Sequence, residues 1–461
     1  MATPPPVPHI LIAAARKSSG KTSFSLGLAR ALTRRGMVVQ TYKKGPDYID
    51  PLWMEQASGR PCYNLDFNTM SDEEILTTFK QNLNGADIAI IETNKGLFDG
   101  IDVTGKDSNA QLAKMLGSPV VLVLDTVGMT RGIAPLLHGY QTFDSDIKIS
   151  GVVLNKTGGP RHEGKLKAAI DHYNKLPVLG SLPRSNALAV EERHLGLTTP
   201  GEVSDALPLI DALADAVGQG VDLDEVIAIA KGAAVEPMEK PATDFSKGDV
   251  AIGIARDEAF GFYYRDDLEA LNRAGAKLAF FDATKDEQLP EIDGLFIGGG
   301  FPETNMKTLS QNNILRAQLK SLIHAGLPTY AECGGLMYLC ERLISNGDSA
   351  EMVGIIPGTA VMNKRPQGRG IAQLKATGKA LWTSGEFAVH EFHYASLEGL
   401  PNDLDYAYEI TRGYGIDGQQ DGIVIKNMVA NFCHLRHTEN CTWASNFVDF
   451  VRRHKNEQTQ K

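Results

Sequence analysis

Short apolar runs rich in β-branched residues alternate with helical patterns through the first half of the chain. Six of these runs are predicted to be strands: HILIAAA, MVVQTY, ADIAIIE, PVVLVLD, ISGVVLN and PVLGSLP. Most are nearly continuous in apolar residues, which is typical of strands buried on both faces. The pattern therefore predicts an α/β fold with a parallel sheet covered by helices.

The first helix is predicted directly after the first of these strands. Phe24, Leu28 and Leu32 recur at four-residue spacing between Ser23 and Arg35. Gly36, which follows them, is a typical helix stop.

The second half shows the same alternation, with strands predicted at DVAIGIA, KLAFFDA, GLFIGGG and PTYAEC, so it is a second α/β unit. Between the halves, GAAVEPMEKPATDFSKGD has two prolines, several charges and little periodicity, as in an exposed connection. We predict one domain at residues 8–235, a linker at 236–248 and a second domain at 249–452.

Composition narrows the class of protein. A chain of 461 residues is too long for one ordinary core, and 43% hydrophobic with 22% charged residues is typical of a folded enzyme. The absence of a signal-like start and of a long apolar run predicts a cytoplasmic protein without membrane contact. Five cysteines without zinc-type spacing indicate a reducing compartment. The net charge of −10 argues against nucleic-acid binding.

A candidate phosphate loop follows the first strand in AARKSSGKTS, residues 14–23. Such a loop cradles phosphates with backbone N–H groups, neutralises them with a lysine and reaches Mg²⁺ with a hydroxyl. Ser19, Gly20, Lys21 and Thr22 are therefore predicted to bind ATP. Ala15 stands where the strict pattern has glycine, so a serine- and glycine-rich turn with an incidental lysine is the alternative.

Acidic residues gather where the predicted strands end, at Asp47, Asp50, Glu92 and Asp99. The carboxyl ends of parallel strands face the same crevice as the phosphate loop, and carboxylates are ligands that Mg²⁺ prefers. These residues predict a magnesium-nucleotide site, although any one of them could be a solvated loop residue. Asn155 also ends a strand, where its amide could read a nucleobase edge or cap the next helix.

A candidate nucleophile lies in PTYAECGGLMYL, where Cys333 follows an apolar strand and precedes a predicted helix, LMYLCERLI. A sharp turn allowed by the glycines at 334 and 335 would expose its sulfur beside helix N–H groups, which lower the pKa of a thiol. His434 and His437 are both candidate bases, and chemistry alone does not choose between them. The alternative is a buried cysteine that only fills space.

An oxyanion cradle for that cysteine is predicted in IGGGFPE, from the backbone N–H of Gly299 or Gly300, with Gly334 beside them. Cys340 and Cys433 lack the glycine setting and are interpreted as small hydrophobic residues.

Together these motifs resemble the cobyrinate a,c-diamide synthase family, enzymes that amidate carboxylates of modified tetrapyrroles with nitrogen from glutamine. The resemblance extends from about residue 8 to about residue 450. It rests on SSGKT, KKGPDYIDP, GLFDG, GVVLNKTGGPRH, ARDEAFGFYYRDDLEAL, GGGFPE, AECGGLMYL, HEFHYA and MVANFCHLRH.

The resemblance implies a P-loop domain similar to dethiobiotin synthetase, followed by a class I glutamine amidotransferase-like domain. The first would use ATP and Mg²⁺ to phosphorylate a peripheral acetate carboxylate of a and c type. In the second, Cys333 would attack glutamine, and the pattern A-x-x-x-H selects His434 as its base. Ammonia would then pass to the acyl phosphate, shielded from water.

The resemblance also implies site residues and partners. It places the metal near Thr22, Asp47 and Glu92, and the carboxylate chemistry near Asp50 and Asp99. The charges of Lys43, Lys44, Arg131 and Arg161 make them weaker candidates for binding substrate carboxylates. The expected partners are the tetrapyrrole, ATP and L-glutamine, and a homodimer is an open expectation.

Two stretches depart from the family pattern. Where the family has E-G-x-x-G-L-x-D-G this chain has ETNKGLFDG, with Thr93 and Lys95, and NKRPQGRGIAQL replaces a leucine-glycine-tyrosine run. Sirohaem or a related isobacteriochlorin, or hydrogenobyrinate, is therefore an alternative substrate. A partitioning or maturation ATPase would give Cys333 and His434 no role, and a docking module without catalysis is a third interpretation.

Overall fold

A computed structural model describes residues 4–185, 192–193, 196–197 and 206–459 of the chain. These residues form two compact units, which meet in the sequence between Pro241 and Ala242. None of the helices in these ranges combines the length and the apolar character needed to cross a bilayer.

The first unit is an α/β layer structure. Its strands are β1 (Val7–Ala14), β2 (Val39–Lys44), β3 (Tyr63–Leu65), β4 (Ile88–Glu92), β5 (Val120–Asp125), β6 (Ile149–Thr157), β7 (Val178–Pro183), β8 (Glu192–Arg193), β9 (Gly196–Leu197) and β10 (Ala234–Val235). Its helices are α1 (Lys21–Arg34), α2 (Ile49–Ser58), α3 (Asp72–Asn82), α4 (Asn109–Leu116), α5 (Ile133–Phe143), α6 (Pro160–Tyr173), α7 (Ala206–Gly220) and α8 (Leu223–Lys231).

The main sheet of this unit has the order β3-β2-β4-β1-β5-β6-β7, and every neighbouring pair along it is parallel. All six predicted strands are confirmed. The order places β1, with the loop that follows it, between β4 and β5, so residues that end β4 lie next to that loop. Ligands of parallel α/β sheets usually bind at the carboxyl ends of the strands, at the position where the strand order reverses.

The second unit has more strands, and only half of its main sheet is parallel. Its strands are β11 (Val250–Ala255), β12 (Phe260–Phe262), β13 (Ala276–Phe281), β14 (Gly294–Ile297), β15 (Gly299–Gly300), β16 (Thr329–Glu332), β17 (Cys340–Ser345), β18 (Asp348–Glu351), β19 (Ile356–Met362), β20 (Gly368–Ala376), β21 (Glu386–His393), β22 (Ala395–Glu398), β23 (Asp405–Arg412), β24 (Gln420–Ile425) and β25 (Met428–Asn431). Its helices are α9 (Arg265–Arg273), α10 (Met306–Gln311), α11 (Asn313–Ala325), α12 (Gly334–Leu339) and α13 (Trp443–Thr459).

Its main sheet runs β13-β11-β14-β16-β25-β24-β23-β20-β21. The first five strands are parallel and include the four that the sequence predicts, whereas β24, β23, β20 and β21 extend the sheet in antiparallel pairs. β16 lies between parallel neighbours, and β13 and β21 are the two edge strands.

One predicted helix is wrong in its second half. LMYLCERLI is helical only to Leu339, because β17 begins at Cys340 and pairs with β18 and β19. In β17, Leu343 is buried while Glu341 and Arg342 are exposed. Pairing in this small sheet therefore overrides a local pattern that also fits a helix.

Candidate functional sites

A loop of left-handed residues connects β1 to α1 in the first unit. Ser18 has a φ of 59° and Gly20 a φ of 88°, and α1 begins immediately afterwards at Lys21. The Ser19 hydroxyl donates to the carbonyl of Arg16 at 2.9 Å, within the loop itself. A left-handed loop that leads into a helix N-terminus is the backbone form that presents N–H groups to phosphate.

The end of β6 holds this loop in place. The side-chain amide of Asn155 donates to the carbonyl of Ser19 at 2.9 Å, and the Lys156 ammonium donates to the carbonyl of Ser18 at 2.9 Å. A Cβ atom on Gly20 would lie 2.1 Å from the Asn155 amide nitrogen, so only glycine fits there. Asn155 therefore supports the loop, and its amide oxygen accepts from the backbone N–H of Lys156 at 2.9 Å.

Lys21 is buried at the start of α1, and its ammonium donates to the carbonyl of Lys95 at 2.7 Å. Burial lowers its pKa to about 8, against the charge of Glu92, which raises it. Lys95 has a φ of 42°, which aims its carbonyl at Lys21, and its own side chain is exposed. The lysine of the loop is thus held between the phosphate loop and the segment after β4.

A buried network of opposite charges lies beside the loop. The Thr22 hydroxyl donates to Glu92 Oε1 at 2.6 Å, and the Lys43 ammonium lies 3.1 Å from the same oxygen. Lys43 also forms an ion pair with Asp50. Although burial disfavours its charge, the two carboxylates raise the pKa of Lys43. Lys43 is therefore a charged partner of Asp50 and Glu92 within this network.

Asp47 extends the network at the start of α2. Its Oδ1 accepts from the backbone N–H groups of Ile49 and Asp50, both at 2.9 Å. Burial, together with the negative charge of Asp50, raises the pKa of Asp47 to about 7, although Lys43 lowers it. Asp47 is thus held beside the network by the backbone at the start of α2.

The oxygen donors in this network fit a hard divalent cation. Glu92 is fully buried, and its Oε2 has no hydrogen-bond partner among the residues that the structure describes. No cluster of three or more His, Cys, Asp or Glu suited to a metal occurs in the described ranges. Mg²⁺ does not need one, because it usually takes one or two carboxylates together with water and substrate phosphates.

Other predicted residues of the first unit lie around this network. Asp99 is exposed and accepts from the N–H of Gly96 at 3.0 Å. Lys44 is buried, but its ammonium donates to the carbonyl of Asp107 at 2.6 Å, because consecutive residues of a strand face opposite sides. Arg131 and Arg161 are exposed near the starts of α5 and α6.

Thr93, which departs from the family pattern, contributes to the packing of the sheet. Thr93 is fully buried, and its hydroxyl donates to the carbonyl of Ile12 in β1 at 2.9 Å. Its backbone N–H donates to the same carbonyl at 3.1 Å. The threonine thus ties the end of β4 to β1.

In the second unit, Cys333 occupies a strained turn between β16 and α12, with φ 45° and ψ −99°. Such a conformation is rarely adopted by a residue with a side chain and is characteristic of nucleophile turns. Cβ atoms added to Gly334 and Gly335 would lie 2.9 Å from the nitrogen of Gly300 and 2.2 Å from the carbonyl oxygen of Ile297. The two glycines allow β16 and its turn to pack this closely.

A histidine and a carboxylate accompany the cysteine. His434 hydrogen-bonds to Cys333, and its Nδ1 lies 3.2 Å from Glu332 Oε2. Glu332 Oε1 accepts from the N–H of Leu435 at 2.9 Å and from the Tyr330 hydroxyl at 2.5 Å. Glu332 is itself held in place and orients the histidine.

The electrostatics of this group favour a charged histidine. Burial alone would lower the pKa of His434, but its hydrogen bonds to Cys333 and Glu332, and the charges of both, raise it to about 10. A cysteine paired with a histidine in this way is typical of nucleophilic catalysis.

The structure distinguishes the two candidate histidines. The backbone N–H of His437 donates to Asp267 Oδ1 at 2.7 Å, and the ring Nδ1 of His437 accepts from the backbone N–H of Ala444 at 3.3 Å. The side chain of His434 hydrogen-bonds to Cys333. Cys340 and Cys433 are fully buried, and burial raises the pKa of both thiols.

The glycines of β15 lie against the same group. A Cβ atom on Gly299 would lie 2.6 Å from Cε1 of His434, and one on Gly300 would lie 2.0 Å from the carbonyl oxygen of Ala259. The backbone of Gly300 is also what a side chain at Gly334 would strike. The predicted oxyanion residues are thus brought together with Cys333 and His434.

Glu332 is the functional candidate that sequence reasoning missed. Strand alternation places it on the face opposite to Cys333, which argues against contact with a partner of that cysteine. The strained turn redirects Cys333 and removes this restriction. The signal was present as a charged residue in the otherwise apolar run that ends at the candidate nucleophile.

Comparison with known domains identifies a domain family in each half of the chain. Residues 10–197 match the CobQ/CobB/MinD/ParA nucleotide binding domain, and residues 251–441 match the CobB/CobQ-like glutamine amidotransferase domain. Together the two domains define a glutamine-dependent, amide-forming ligase. A partitioning or maturation ATPase would leave the second domain without a role.

Full-length relatives identify the family. The chain is 42% identical to a cobyrinate a,c-diamide synthase of Magnetococcus marinus, with 97% of each chain covered. It is 40% identical to the cobyrinate a,c-diamide synthase of Archaeoglobus fulgidus, over 96% of this chain and 98% of the relative. It is 38% identical to that of Methanosarcina barkeri, over 97% of this chain and 96% of the relative. The chain belongs to the cobyrinate a,c-diamide synthase family.

Solved structures show a more distant similarity. A GMP synthase protein of Thermoplasma acidophilum is 16% identical with a TM-score of 0.33, covering 46% of this chain and 98% of that one. A glutamine amidotransferase is 15% identical with a TM-score of 0.32, covering 45% and 97%.

Proposed function

We propose that this protein uses ATP and glutamine to convert the a and c acetate carboxylates of cobyrinate into amides. The observation that carries the proposal is that one chain contains both a hydrogen-bonded Cys333–His434–Glu332 group and a phosphate loop whose Thr22 hydrogen-bonds a buried carboxylate. The names of the relatives supply the substrate. We also propose that the protein is located in the cytoplasm.

Nitrogen is released in the second unit. The Cys333 thiolate attacks the side-chain carbonyl of glutamine, and the charge on oxygen is stabilised by backbone N–H groups of Gly299, Gly300 and Gly334. As the C–N bond breaks, the His434 imidazolium gives its proton to the leaving nitrogen, which departs as ammonia. The neutral His434 then takes a proton from water, whose oxygen cleaves the thioester to glutamate and restores the thiolate and the imidazolium.

The carboxylate is activated in the first unit. A carboxylate oxygen of the substrate attacks the γ-phosphorus of ATP, and ADP leaves. The product is an acyl phosphate, in which phosphate replaces the carboxylate oxygen as the leaving group. Ammonia then attacks the acyl carbon and phosphate leaves. Ser19, Gly20, Lys21 and Thr22 bind the nucleotide phosphates, while Asn155 holds the loop in position for them.

Charged residues around the loop complete the site. Thr22, Glu92 and Asp47 are proposed to hold Mg²⁺, which neutralises phosphate charge when it is bound. Lys43, Asp50, Asp99 and Arg131 are proposed to bind the substrate or its acyl phosphate.

Product mass tests the substrate. Cobyrinate, hydrogenobyrinate, sirohydrochlorin and sirohaem are offered separately with ATP, Mg²⁺ and glutamine, and the products are examined by mass spectrometry. Exchange of OH for NH₂ on cobyrinate is expected to occur twice. Amidation of sirohaem alone would favour the isobacteriochlorin alternative, and no amidation of any of the four would refute the proposal.

Removal of divalent cations is expected to separate the two half-reactions. With excess EDTA, amide formation should stop with either glutamine or ammonia, because nucleotide phosphates lose their counter-ion. Release of glutamate should persist, and added Mg²⁺ should restore amide formation. Undiminished amidation in a verified metal-free assay would contradict the assignment of Thr22 and Glu92.

Glu332→Gln is expected to weaken glutamine hydrolysis by about 10- to 100-fold, since a hydrogen bond to a charged group contributes about 1.5–3 kcal/mol. The wild-type imidazolium persists until the pH rises through about 10, and loss of a partner carboxylate should lower that limit by about one to three pH units. The pH profile of kcat/KM for glutamine measures it.

The same pKa also affects stability. Its value of about 10 in the folded protein exceeds the ordinary value of about 6.5, so charged His434 stabilises the fold fully below about pH 6.5 and loses this effect as the pH rises toward 10.

Glu341→Gln, on the exposed side of β17, is the matched control for Glu332→Gln. An unchanged pH profile in Glu332→Gln would rule out the orienting role.

A further inference from the structure

The motif HEFHYA lies beside the glutamine site, although the proposed reaction gives it no role. It spans the end of the edge strand β21, from His390 to Ala395. The backbone N–H of His434 donates to the carbonyl of His390 at 2.8 Å, so the motif is joined directly to the segment that carries the proposed base. The question is what its side chains contribute.

Two of these side chains stabilise the fold on one face of the strand. Glu391 accepts from the N–H groups of Tyr414 at 2.9 Å and Gly415 at 2.9 Å. His393 stacks on Phe432 with ring centroids 4.0 Å apart and planes within 2°, and its Nδ1 contacts the carbonyl of Ala395 at 2.9 Å. Both residues are buried and support the segment before His434.

His390 lies on the opposite face, because side chains alternate along a strand. Its ring faces that of His434, with centroids 6.3 Å apart and planes inclined by 29°. Nδ1 of His390 is buried and has no hydrogen-bond partner within the described part of the chain. A buried polar atom without a partner is uncommon in a native fold and calls for an explanation, such as an absent ligand.

The ring of His390 is also neutral under ordinary conditions. Burial, and then the positive charge of His434, lower its pKa to about 3. One ring nitrogen of a neutral imidazole accepts a hydrogen bond, and the ring has no acidic proton to lose. The two facing histidines are therefore different in chemistry, since His434 can give up a proton, whereas neutral His390 can only accept or donate hydrogen bonds.

We propose that His390 receives the ammonia released at Cys333, by accepting a hydrogen bond from one of its N–H groups. This inference rests on the proposed function. Ammonia that forms this bond keeps its lone pair free, and no proton is transferred. A charged neighbour at this position would instead convert it to ammonium, which has no lone pair with which to attack an acyl phosphate. His390 is thus the group that keeps the released nitrogen nucleophilic.

The test is the number of amides formed per glutamate released, measured with purified full-length protein, cobyrinate, ATP, Mg²⁺ and glutamine. His390→Phe keeps a flat ring beside His434 and leaves the backbone bond between the two residues intact. We expect glutamate release within about twofold of wild type and a coupling ratio lowered about fivefold, the effect of one hydrogen bond. Added ammonium chloride should restore amide formation.

Two further variants sharpen the result. His390→Asn places a short polar group near the position of Nδ1 and should recover most of the coupling. Phe392→Leu, two residues along on the same strand, is the matched control and should couple like wild type. If wild type itself forms no amide, the proposed function fails. If wild type couples and His390→Phe couples equally, or if glutamate release is lost as in Cys333→Ala, the inference is overturned.

Discussion

Cys333→Ala is expected to abolish glutamine-dependent amidation, with a loss on the order of 10⁴-fold or more, the scale for removing a nucleophile. Activity with added ammonia should remain near that of wild type, since the phosphate loop and its acidic network belong to the other unit. Amide formation with each nitrogen donor, and glutamate release, are the measurements.

Cys340→Ser is the matched control for this experiment. Cys340 lies seven residues after Cys333 in the sequence, and its sulfur donates to the carbonyl of Leu336 at 3.4 Å, a bond that a serine hydroxyl can reproduce. This variant should keep both activities. Equal loss with glutamine and with ammonia in Cys333→Ala would contradict the division of labour between the units.

Glu92→Gln is expected to give the opposite result, a loss of amide formation on the order of 100-fold or more with either nitrogen donor. Glutamine keeps the size of the side chain and an acceptor for Thr22, but it removes the charge that faces Lys43. The fold should tolerate the change, because Lys43 keeps its ion pair with Asp50 and burial already disfavours a charge on Glu92.

Glutamate release is the internal control for Glu92→Gln and should stay within about twofold of wild type, because Cys333 and His434 are untouched. Glu73→Gln, on the exposed first turn of α3, controls for the loss of one negative charge from the same unit. Normal amidation by Glu92→Gln would remove Glu92 from the proposed metal and phosphate site.

The fold was predictable because its signals are local. Strands buried on both faces show as continuous apolar runs, and a phosphate loop is a short segment between a strand and a helix. Cys333 was recognisable for the same reason, since its glycines follow it directly in the sequence. The choice of His434, about a hundred residues further along the sequence, as the base for Cys333 depended on the family resemblance. The hydrogen bond between His434 and Cys333 agrees with that choice.

Other features depended on distant contacts. Glu332 was hidden because the strained turn at Cys333 breaks the alternation from which its direction would be inferred. The amide of Asn155 looked available for a nucleobase, but it donates to Ser19, which is 136 positions away in the sequence. Lys43 and Lys44 looked equivalent, yet they lie on opposite faces of β2, and only Lys43 contacts the acidic network through its side chain.

The left-handed backbone at Cys333 has a consequence for how this protein can change over generations. A conformation of this kind costs on the order of 1–3 kcal/mol, while a typical domain is stable by only about 5–15 kcal/mol. Glycine would adopt the same turn without steric cost. In a lineage that lives where ammonia is plentiful, replacing Cys333 with glycine would therefore make the folded protein more stable. Persistence of cysteine at this position would indicate a continuing dependence on glutamine.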